Sequence, residues 1–248
     1  MDPIESPAAP EIEALARIAQ AVVACRACPR LRAHCQHVAR TRKRAFRDQE
    51  YWGLPVPGLG DPNARLLIVG LAPAAHGANR TGRMFTGDAS GDWLAEALHR
   101  YGFATQPTST HRDDGFELRE SYLTASARCA PPDNKPTREE ILACRPFLER
   151  ELAVLDRVQV VILLGRIAFD TYTRLLMEQG RLQGRPAFQH GAVTELPDGR
   201  PRYLLASYHP SRQNTQTGRL TREMWHAVFA QARSLLEGAS GLAAAARV

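Results

Sequence analysis

Two hydrophobic periods alternate along this chain. Continuous apolar runs of four to eight residues, typical of strands buried on both faces of a parallel sheet, occur at 65–70, 122–127, 158–165 and 203–207. Between and around these runs, apolar residues recur every three or four positions, which predicts helices at 11–24, 90–101, 137–155, 166–178 and 221–236. Strands that alternate with helices indicate the α/β class. We therefore predict a three-layer α/β/α sandwich with a central, mainly parallel four-stranded sheet.

Local signals mark the ends of several predicted elements. Ser90 is the expected N-cap of the second helix, and Thr137 with Glu140 forms a capping box at the third. The glycines and prolines of segment 181–199 predict an irregular connection before the last strand, with a hairpin as one interpretation. We expect one domain over residues 1–248, with loose termini at 1–10 and 238–248.

Charge is unevenly distributed along the chain. The 248 residues carry a formal net charge of +6. Between Cys25 and Arg47 there are basic residues and no acid, and residues 40–61 read as a basic arm that passes into a turn-rich loop. Such a stretch favours a polyanionic partner, although a solvated helix face is the alternative. We find no apolar run of membrane-spanning length and no signal-peptide pattern, so we expect a cytoplasmic monomer without a membrane partner.

Two distant segments suggest one ligand pocket. Residues 70–88 directly follow the first predicted strand, and residues 209–214 follow the last one. Open parallel sheets place their sites at the carboxyl ends of strands. These loops combine small residues, an aromatic ring, a carboxylate, amides and a histidine, a mixture that suits a flat polar ring better than a hydrophobic core.

Four of the five cysteines form a plausible ligand set. Cys25 and Cys28 make a C-x-x-C motif, and Cys129 and Cys144 follow about a hundred residues later. Zinc and iron–sulfur centres both accept four thiolates, and spacing alone does not separate them. Buried thiols without a metal are the third interpretation.

Together, the loop at 70–88, the His209-Pro210-Ser211 segment and the four cysteines resemble the uracil-DNA glycosylase superfamily, most closely its family 5, the UDGb type. The resemblance covers roughly residues 20 to 235. It implies a monofunctional DNA glycosylase of base excision repair that flips uracil out of DNA and hydrolyses its N-glycosidic bond, leaving an abasic site. Hypoxanthine and ethenocytosine are implied as further substrates, so the partner is DNA containing uracil or other damaged bases.

The same resemblance implies a 4Fe–4S cluster held by Cys25, Cys28, Cys129 and Cys144. Cys35 falls outside the family pattern and is expected to be a free thiol. Base excision needs no electron transfer, so the expected role of the cluster is to shape a DNA-contacting surface.

Cleavage of an N-glycosidic bond requires a carboxylate near the cationic sugar and a donor for the departing base. The resemblance points to Asp88 and His209 for these roles; the alternatives are a helix N-cap and a core histidine. Many relatives carry an acid or amide where this chain has Leu71, and family 4 carries an Asn where this chain has Ala125. Asn134 could supply a comparable amide, or could be a turn residue.

The remaining site predictions concern the walls of the pocket and the DNA. Phe85 is the expected stacking partner of the base, with a core position as the alternative. The other predicted substrate-binding residues are Ala74, Ala75, His76 and Gly77. The predicted DNA contacts are Arg80, Arg83, Lys135, Ser211, Arg212, Gln213 and Asn214.

Two competing functions remain at this point. A redox or radical iron–sulfur enzyme would need an open iron or a flavin or nicotinamide loop, whereas this chain has a full set of four candidate cysteine ligands and no G-x-G-x-x-G motif. A non-catalytic iron–sulfur nucleic-acid-binding protein would use the basic arm. It predicts that replacement of Asp88 and His209 changes affinity alone.

Overall fold

The computed structural model describes residues 9–197 and 199–245. In those ranges the α-helices are α1 (Ala9–Ala24), α2 (Pro29–Thr41), α3 (Ala78–Thr81), α4 (Ala89–Arg100), α5 (Arg138–Val154), α6 (Arg166–Glu178), α7 (Arg212–Gln216) and α8 (Arg222–Ala245). The strands are β1 (Leu59–Gly60), β2 (Leu66–Gly70), β3 (Ser121–Ala125), β4 (Val160–Leu164), β5 (Val193–Glu195) and β6 (Tyr203–Ser207). Short 3₁₀ helices occupy Arg44–Phe46 and Pro132–Asn134.

The strands form a mixed, mainly parallel sheet in the order β1-β3-β2-β4-β6-β5. The four central strands are parallel, as predicted, and in register Val69 lies beside Thr124 on one side and Leu163 on the other. The difference from the predicted four strands lies at the edges, where β1 and β5 add short antiparallel partners. Strands of two and three residues, with side chains that are partly or fully exposed, are too short to produce a readable period, so the sequence pattern missed them.

Alternation along the buried strands builds two cores. In β2, Leu66 and Ile68 face one side of the sheet, where they pack with α4 and α8 residues that include Leu94 and Trp225. Leu67 and Val69 face the other side. That second core is completed by α1, α5 and α6, whose buried contributions include Ile18, Val22, Leu148, Phe169 and Leu176. Helices on both faces of the sheet confirm the predicted α/β/α sandwich.

The helices differ from the sequence prediction at the start of α4 and in the presence of α2. The α4 N-cap is Asp88 rather than Ser90, whereas the capping box of Thr137 and Glu140 is present at α5. Helix α2 was not predicted; it begins with Pro29, a favoured first-turn residue, and buries Leu31 among other residues. Its many arginines hid this narrow apolar stripe.

The predicted loose termini are shorter than expected where the structure describes them. Residues 9–10 belong to α1, and residues 238–245 continue α8. Alanine has the highest helix propensity, so the Ala-rich end extends the helix that precedes it. The rest of that prediction, residues 1–8 and 246–248, lies outside the described residues. Across the described ranges, no helix combines the length and apolarity that a membrane crossing requires.

Candidate active site

The two predicted loops meet at one pocket of about 670 Å³ at the carboxyl ends of β2 and β6. The segment after β2 contributes residues 71–78, 84–85 and 87–90, and the segment after β6 contributes His209 and residues 211–213. Asp133 and Asn134 line the pocket from the segment after β3. Parallel strands bring these loops together because their carboxyl ends lie at the same edge of the sheet.

Direct hydrogen bonds hold the two loops in one arrangement. Ser90 Oγ donates to the Pro210 carbonyl oxygen at 3.1 Å, which joins the start of α4 to the loop after β6. Asn214 Nδ2 donates to the His209 carbonyl oxygen at 2.8 Å, and Ser211 caps α7 by accepting from Asn214 N. The backbone that carries His209 is therefore fixed before any ligand binds.

Phe85 lies over the end of β2. Its φ of 50° is in the left-handed region, which a non-glycine residue adopts only where surrounding contacts hold it. A Cβ at Gly70 would lie 2.7 Å from Phe85 Cζ, and one at Gly91 would lie 2.3 Å from the Phe85 carbonyl oxygen. The two glycines thus make room for this conformation. The Phe85 and His209 ring centroids are 6.4 Å apart at an interplanar angle of 31°.

Asp88 is both a helix cap and a pocket residue. Its Oδ1 accepts hydrogen bonds from Ser90 N and Gly91 N, each at 2.9 Å. Its Oδ2 has no hydrogen-bond partner among the described residues and faces Gly77, where a Cβ would lie only 1.8 Å from it. Burial raises the pKa of Asp88 above its usual range, and the two backbone N–H groups partly oppose that rise. One oxygen caps α4, and the second is available to chemistry in the pocket.

His209 is a neutral donor. Burial lowers its pKa to about 4, and no charged group opposes this effect. The imidazole is therefore uncharged at neutral pH and keeps one N–H to donate.

These two pKa shifts predict how any reaction in this pocket that uses the Asp88 carboxylate depends on pH. A carboxylate with a raised pKa loses its charge as the pH falls, whereas His209 stays neutral down to about pH 4. We expect the rate of such a reaction to show an acid limb that belongs to Asp88 and lies above the ordinary aspartate range. The limb should vanish in Asp88→Asn and persist in His76→Gln. A limb that persists in Asp88→Asn contradicts the assignment.

Asn134 lies on the pocket rim in a strained turn. Asp133 and Asn134 adopt φ values of 53° and 56°, which Asn and Asp tolerate better than most residues. The Asn134 side chain is exposed and lines the pocket, and Lys135 beside it is also exposed. The turn role and the proximity to the pocket therefore coexist.

Arg80 and Arg83, which were predicted to contact DNA, both have buried side chains that bond within the protein. Arg80 donates to the carbonyl oxygens of His76 and Gly87, at 2.8 and 2.6 Å. Arg83 forms a buried ion pair with Asp114, with 2.6 Å between Nη2 and Oδ1. A backbone carbonyl buried in a loop needs a hydrogen-bond donor, and one guanidinium group can donate to several carbonyls at once. The two arginines brace the loop at 70–88 from inside.

Sequence reasoning missed two residues that complete the pocket. They are Lys43 and Phe46, at the 3₁₀ turn of the basic arm, and they line the pocket although they precede β2 in the chain. The Arg80 guanidinium lies 4.0 Å from the Phe46 ring centroid, so a buried cation supports this aromatic ring. An aromatic residue inside a run of cations was the signal for such a contact. Among the other predicted DNA contacts, Arg212 and Gln213 are exposed at the pocket rim.

The four predicted cysteine ligands line one small cavity. Cys25 and Cys28 approach from the turn between α1 and α2, Cys129 from the segment after β3, and Cys144 from α5. All are free thiols, and Cys35 is buried nearby with its Sγ 3.6 Å from the Ala130 carbonyl oxygen. Burial raises the pKa of Cys28 and brings that of Cys144 to about 12, so these two thiols stay protonated at neutral pH when they bind no metal.

The donor set fits an anionic cluster better than a single ion. No three His, Cys, Asp or Glu side chains among the described residues converge closely enough for one metal ion. Zinc needs four ligands around one point, whereas each cysteine of a 4Fe–4S cluster binds a different iron. Arg128 also lines the cavity, and its Nε and Nη1 are buried with no hydrogen-bond partner in the described part of the chain. Sulfide and thiolate acceptors in the cavity would satisfy them.

The chain is similar to known DNA repair enzymes over most of its length. A family model described as the uracil DNA glycosylase superfamily matches residues 57–233. A type-5 uracil-DNA glycosylase of Thermus thermophilus is 55% identical over 216 residues, which are 87% of this chain and 95% of that protein. A type-5 enzyme of Mycobacterium tuberculosis is 50% identical over 85% of this chain and 78% of that protein. A type-4 enzyme of Pyrobaculum aerophilum is 37% identical over 63% and 71%, respectively.

Proposed function

This chain belongs to the uracil-DNA glycosylase superfamily, and from that membership we propose that it is a type-5 uracil-DNA glycosylase of base excision repair. It binds DNA, takes a flipped uracil into the pocket between the two loops, and hydrolyses the N-glycosidic bond. The observation that carries this proposal is the pairing of a carboxylate oxygen without a partner, Asp88 Oδ2, with a neutral imidazole donor, His209, in one pocket.

Asp88 and His209 serve opposite ends of the breaking bond. As the bond lengthens, positive charge develops on the sugar and negative charge on the base. The Asp88 carboxylate stabilises the sugar cation or orients a water molecule toward it, and the bond electrons leave with the base. His209 donates a hydrogen bond to a carbonyl oxygen of the base anion while remaining neutral itself. Attack by water leaves an abasic site and free uracil.

The pocket walls supply binding rather than chemistry. The Phe85 ring stacks on the flipped base, since base–aromatic stacking is favourable and tolerant of base identity. The backbone of the loop at 74–77 can approach the base closely because Ala74, Ala75 and Gly77 are small. At the rim, exposed Lys135 and Arg212 join Lys43 as phosphate contacts. At the end of β3 this chain has Ala125 in place of the Asn of family 4, which supports hypoxanthine and ethenocytosine as further substrates.

The activity is tested with duplex oligonucleotides that carry one uracil, hypoxanthine or ethenocytosine. We expect release of the base by wild type, with strand cleavage only after alkali. His209→Asn retains a neutral N–H donor at a shorter reach, and His209→Ala removes it, so the Ala variant should be slower by about 10²-fold or more. Tight DNA binding without release of any base would instead support a non-catalytic binding protein.

The 4Fe–4S cluster is a separate part of the proposal. Cys25, Cys28, Cys129 and Cys144 would hold it, and its contribution would be structural, because these four residues lie on the α1–α2 turn, on α5 and on the segment that carries Asn134. Reduced thiols of this kind suit the cytoplasm, where we place the protein as a monomer. Catalysis itself runs through the pocket residues.

Replacement of single cysteines tests the ligand set. Cys144→Ser should abolish the brown colour and lower the iron content well below four atoms per chain, because a ligand is lost. Cys35→Ser is the matched control, since Cys35 is also a buried thiol in the same neighbourhood but outside the four. It should keep wild-type iron and absorbance. Equal iron loss in both variants, or stoichiometric zinc in the wild type, contradicts the assignment.

A further inference from the structure

Tyr51 holds the ring of His76 from behind the pocket. The Tyr51 hydroxyl oxygen lies 3.0 Å from His76 Nδ1. The two rings meet edge to face, with centroids 6.0 Å apart. Tyr51 is 7% exposed, and His76 lies in the pocket wall beside Lys43. Tyr51, which does not line this pocket, thus contacts His76, which does.

The direction of this hydrogen bond follows from a second contact. Lys43 N donates to the Tyr51 hydroxyl oxygen at 3.3 Å. The phenol oxygen accepts this bond. Among the described residues, His76 Nδ1 is then the partner within reach of the phenol proton. With the phenol donating in this direction, Nδ1 accepts and carries no proton, which puts the single ring proton of neutral His76 on Nε2.

The surroundings keep this ring neutral. Burial lowers the pKa of His76, and the nearby positive charges of Lys43 and Arg80, with His34, lower it further. Nε2 has no hydrogen-bond partner within the described chain, and the ring lines the pocket. A neutral histidine with a fixed tautomer presents an N–H to a ligand and cannot present a lone pair.

We propose that Tyr51 is a positioning residue that fixes His76 as a hydrogen-bond donor to a carbonyl oxygen of the flipped base. This inference rests on the proposed function of the pocket. Deamination of a base replaces an exocyclic amino group by a carbonyl. A fixed N–H donor can therefore bond to the carbonyl oxygen of the deaminated base. Opposite the amino group of an intact base, two N–H donors face each other and neither forms a hydrogen bond.

Tyr51→Phe removes the hydroxyl while keeping the ring that packs on His76. Tyr172→Phe is the matched control, because the Tyr172 hydroxyl is also buried but has no hydrogen-bond partner in the described structure. Nitrogen-15 spectra of the His76 ring should show a protonated Nε2 in wild type and in Tyr172→Phe. In Tyr51→Phe they should show a mixture of tautomers.

Selectivity is measured by binding. Duplexes carrying 2′-fluoroarabino-uridine or 2′-fluoroarabino-cytidine resist cleavage, so the ratio of their Kd values reports discrimination alone. We expect this ratio to fall about tenfold in Tyr51→Phe, as for loss of one neutral hydrogen bond, and to stay at the wild-type value in Tyr172→Phe. His76→Gln, whose amide can present either its oxygen or its nitrogen, should also lower the ratio.

Three outcomes overturn this inference. They are a wild-type spectrum with a protonated Nδ1, a Tyr51→Phe variant that keeps the wild-type Kd ratio, and an equal loss of selectivity in Tyr172→Phe. Failure of the wild type to release uracil would instead remove the proposed function. The tautomer measurement requires no turnover, so the two failures are distinguishable.

Discussion

Asp88→Asn is expected to lower the single-turnover rate of uracil release by about a thousandfold, the range for loss of a carboxylate that acts as a base or stabilises charge. The substitution keeps the size of the side chain and an oxygen that can accept from Ser90 N and Gly91 N. Asn is as good an N-cap as Asp, so the thermal midpoint should change little. The two roles of this residue thereby separate into two measurements.

The matched control is Asp92→Asn, an exposed residue in the first turn of the same helix. It removes one negative charge from the same region but none from the pocket, and we expect a rate within a factor of about two of wild type. If Asp88→Asn releases uracil at a rate near that of wild type, Asp88 serves as a helix cap alone. Asp88→Ala should be slower as well as less stable, because it removes both oxygens.

Arg128→Met should lower the thermal midpoint by about 10 °C, corresponding to a loss of about 3–5 kcal/mol. Arg128 and Glu151 are each 1% exposed, and their Nη2 and Oε2 atoms are 2.5 Å apart. Glu151 also accepts from Thr124 Oγ1 at 2.6 Å, so the carboxylate is held under the sheet. Removing the cation leaves a buried, unpaired charge, which is the costly case.

The double variant Arg128→Met/Glu151→Gln should recover much of this loss, because neither charge then remains. Arg166→Met is the surface control. Arg166 pairs with Asp170 but is 62% exposed, so its loss should cost less than about 1 kcal/mol. Thermal midpoints are compared for proteins of equal iron content, since Arg128 also lines the cysteine cavity. Equal effects of the two single variants would show that the buried pair stabilises no more than a surface pair.

The strand and helix patterns predicted the layers of this fold from sequence. Strand β6 and helix α6 have the predicted bounds, and both faces of β2 are apolar in sequence and buried in the structure. Burial on two faces requires helices on two faces, so the class followed from local pattern. The edge strands β1 and β5 could not be predicted in this way, because two or three residues are too few to show a period. Each of these strands forms by pairing with a longer one, β3 or β6.

In the candidate site, too, some features could be predicted from local sequence and others depend on tertiary contacts. The two loops could be predicted because each follows a buried strand, and the sheet brings such loops together. The buried positions of Arg80 and Arg83 could not be predicted, because the sequence of a polar loop does not show whether an arginine faces DNA or backbone carbonyls. Phe46 and Tyr51 were missed because their contacts with Arg80 and His76 join residues more than twenty positions apart.

The sequence by itself determined the composition of the site: a carboxylate, a histidine, an aromatic ring and four cysteines at positions that the local pattern and the family resemblance mark. Only the tertiary structure decided how each side chain is used. It divided the two oxygens of Asp88 between helix and pocket, buried Arg80 and Arg83, and placed Tyr51 behind His76. The physical reason is that residue type and local period are properties of neighbouring positions. Burial, pKa and hydrogen-bond direction depend on partners that only the folded chain brings within a few ångströms.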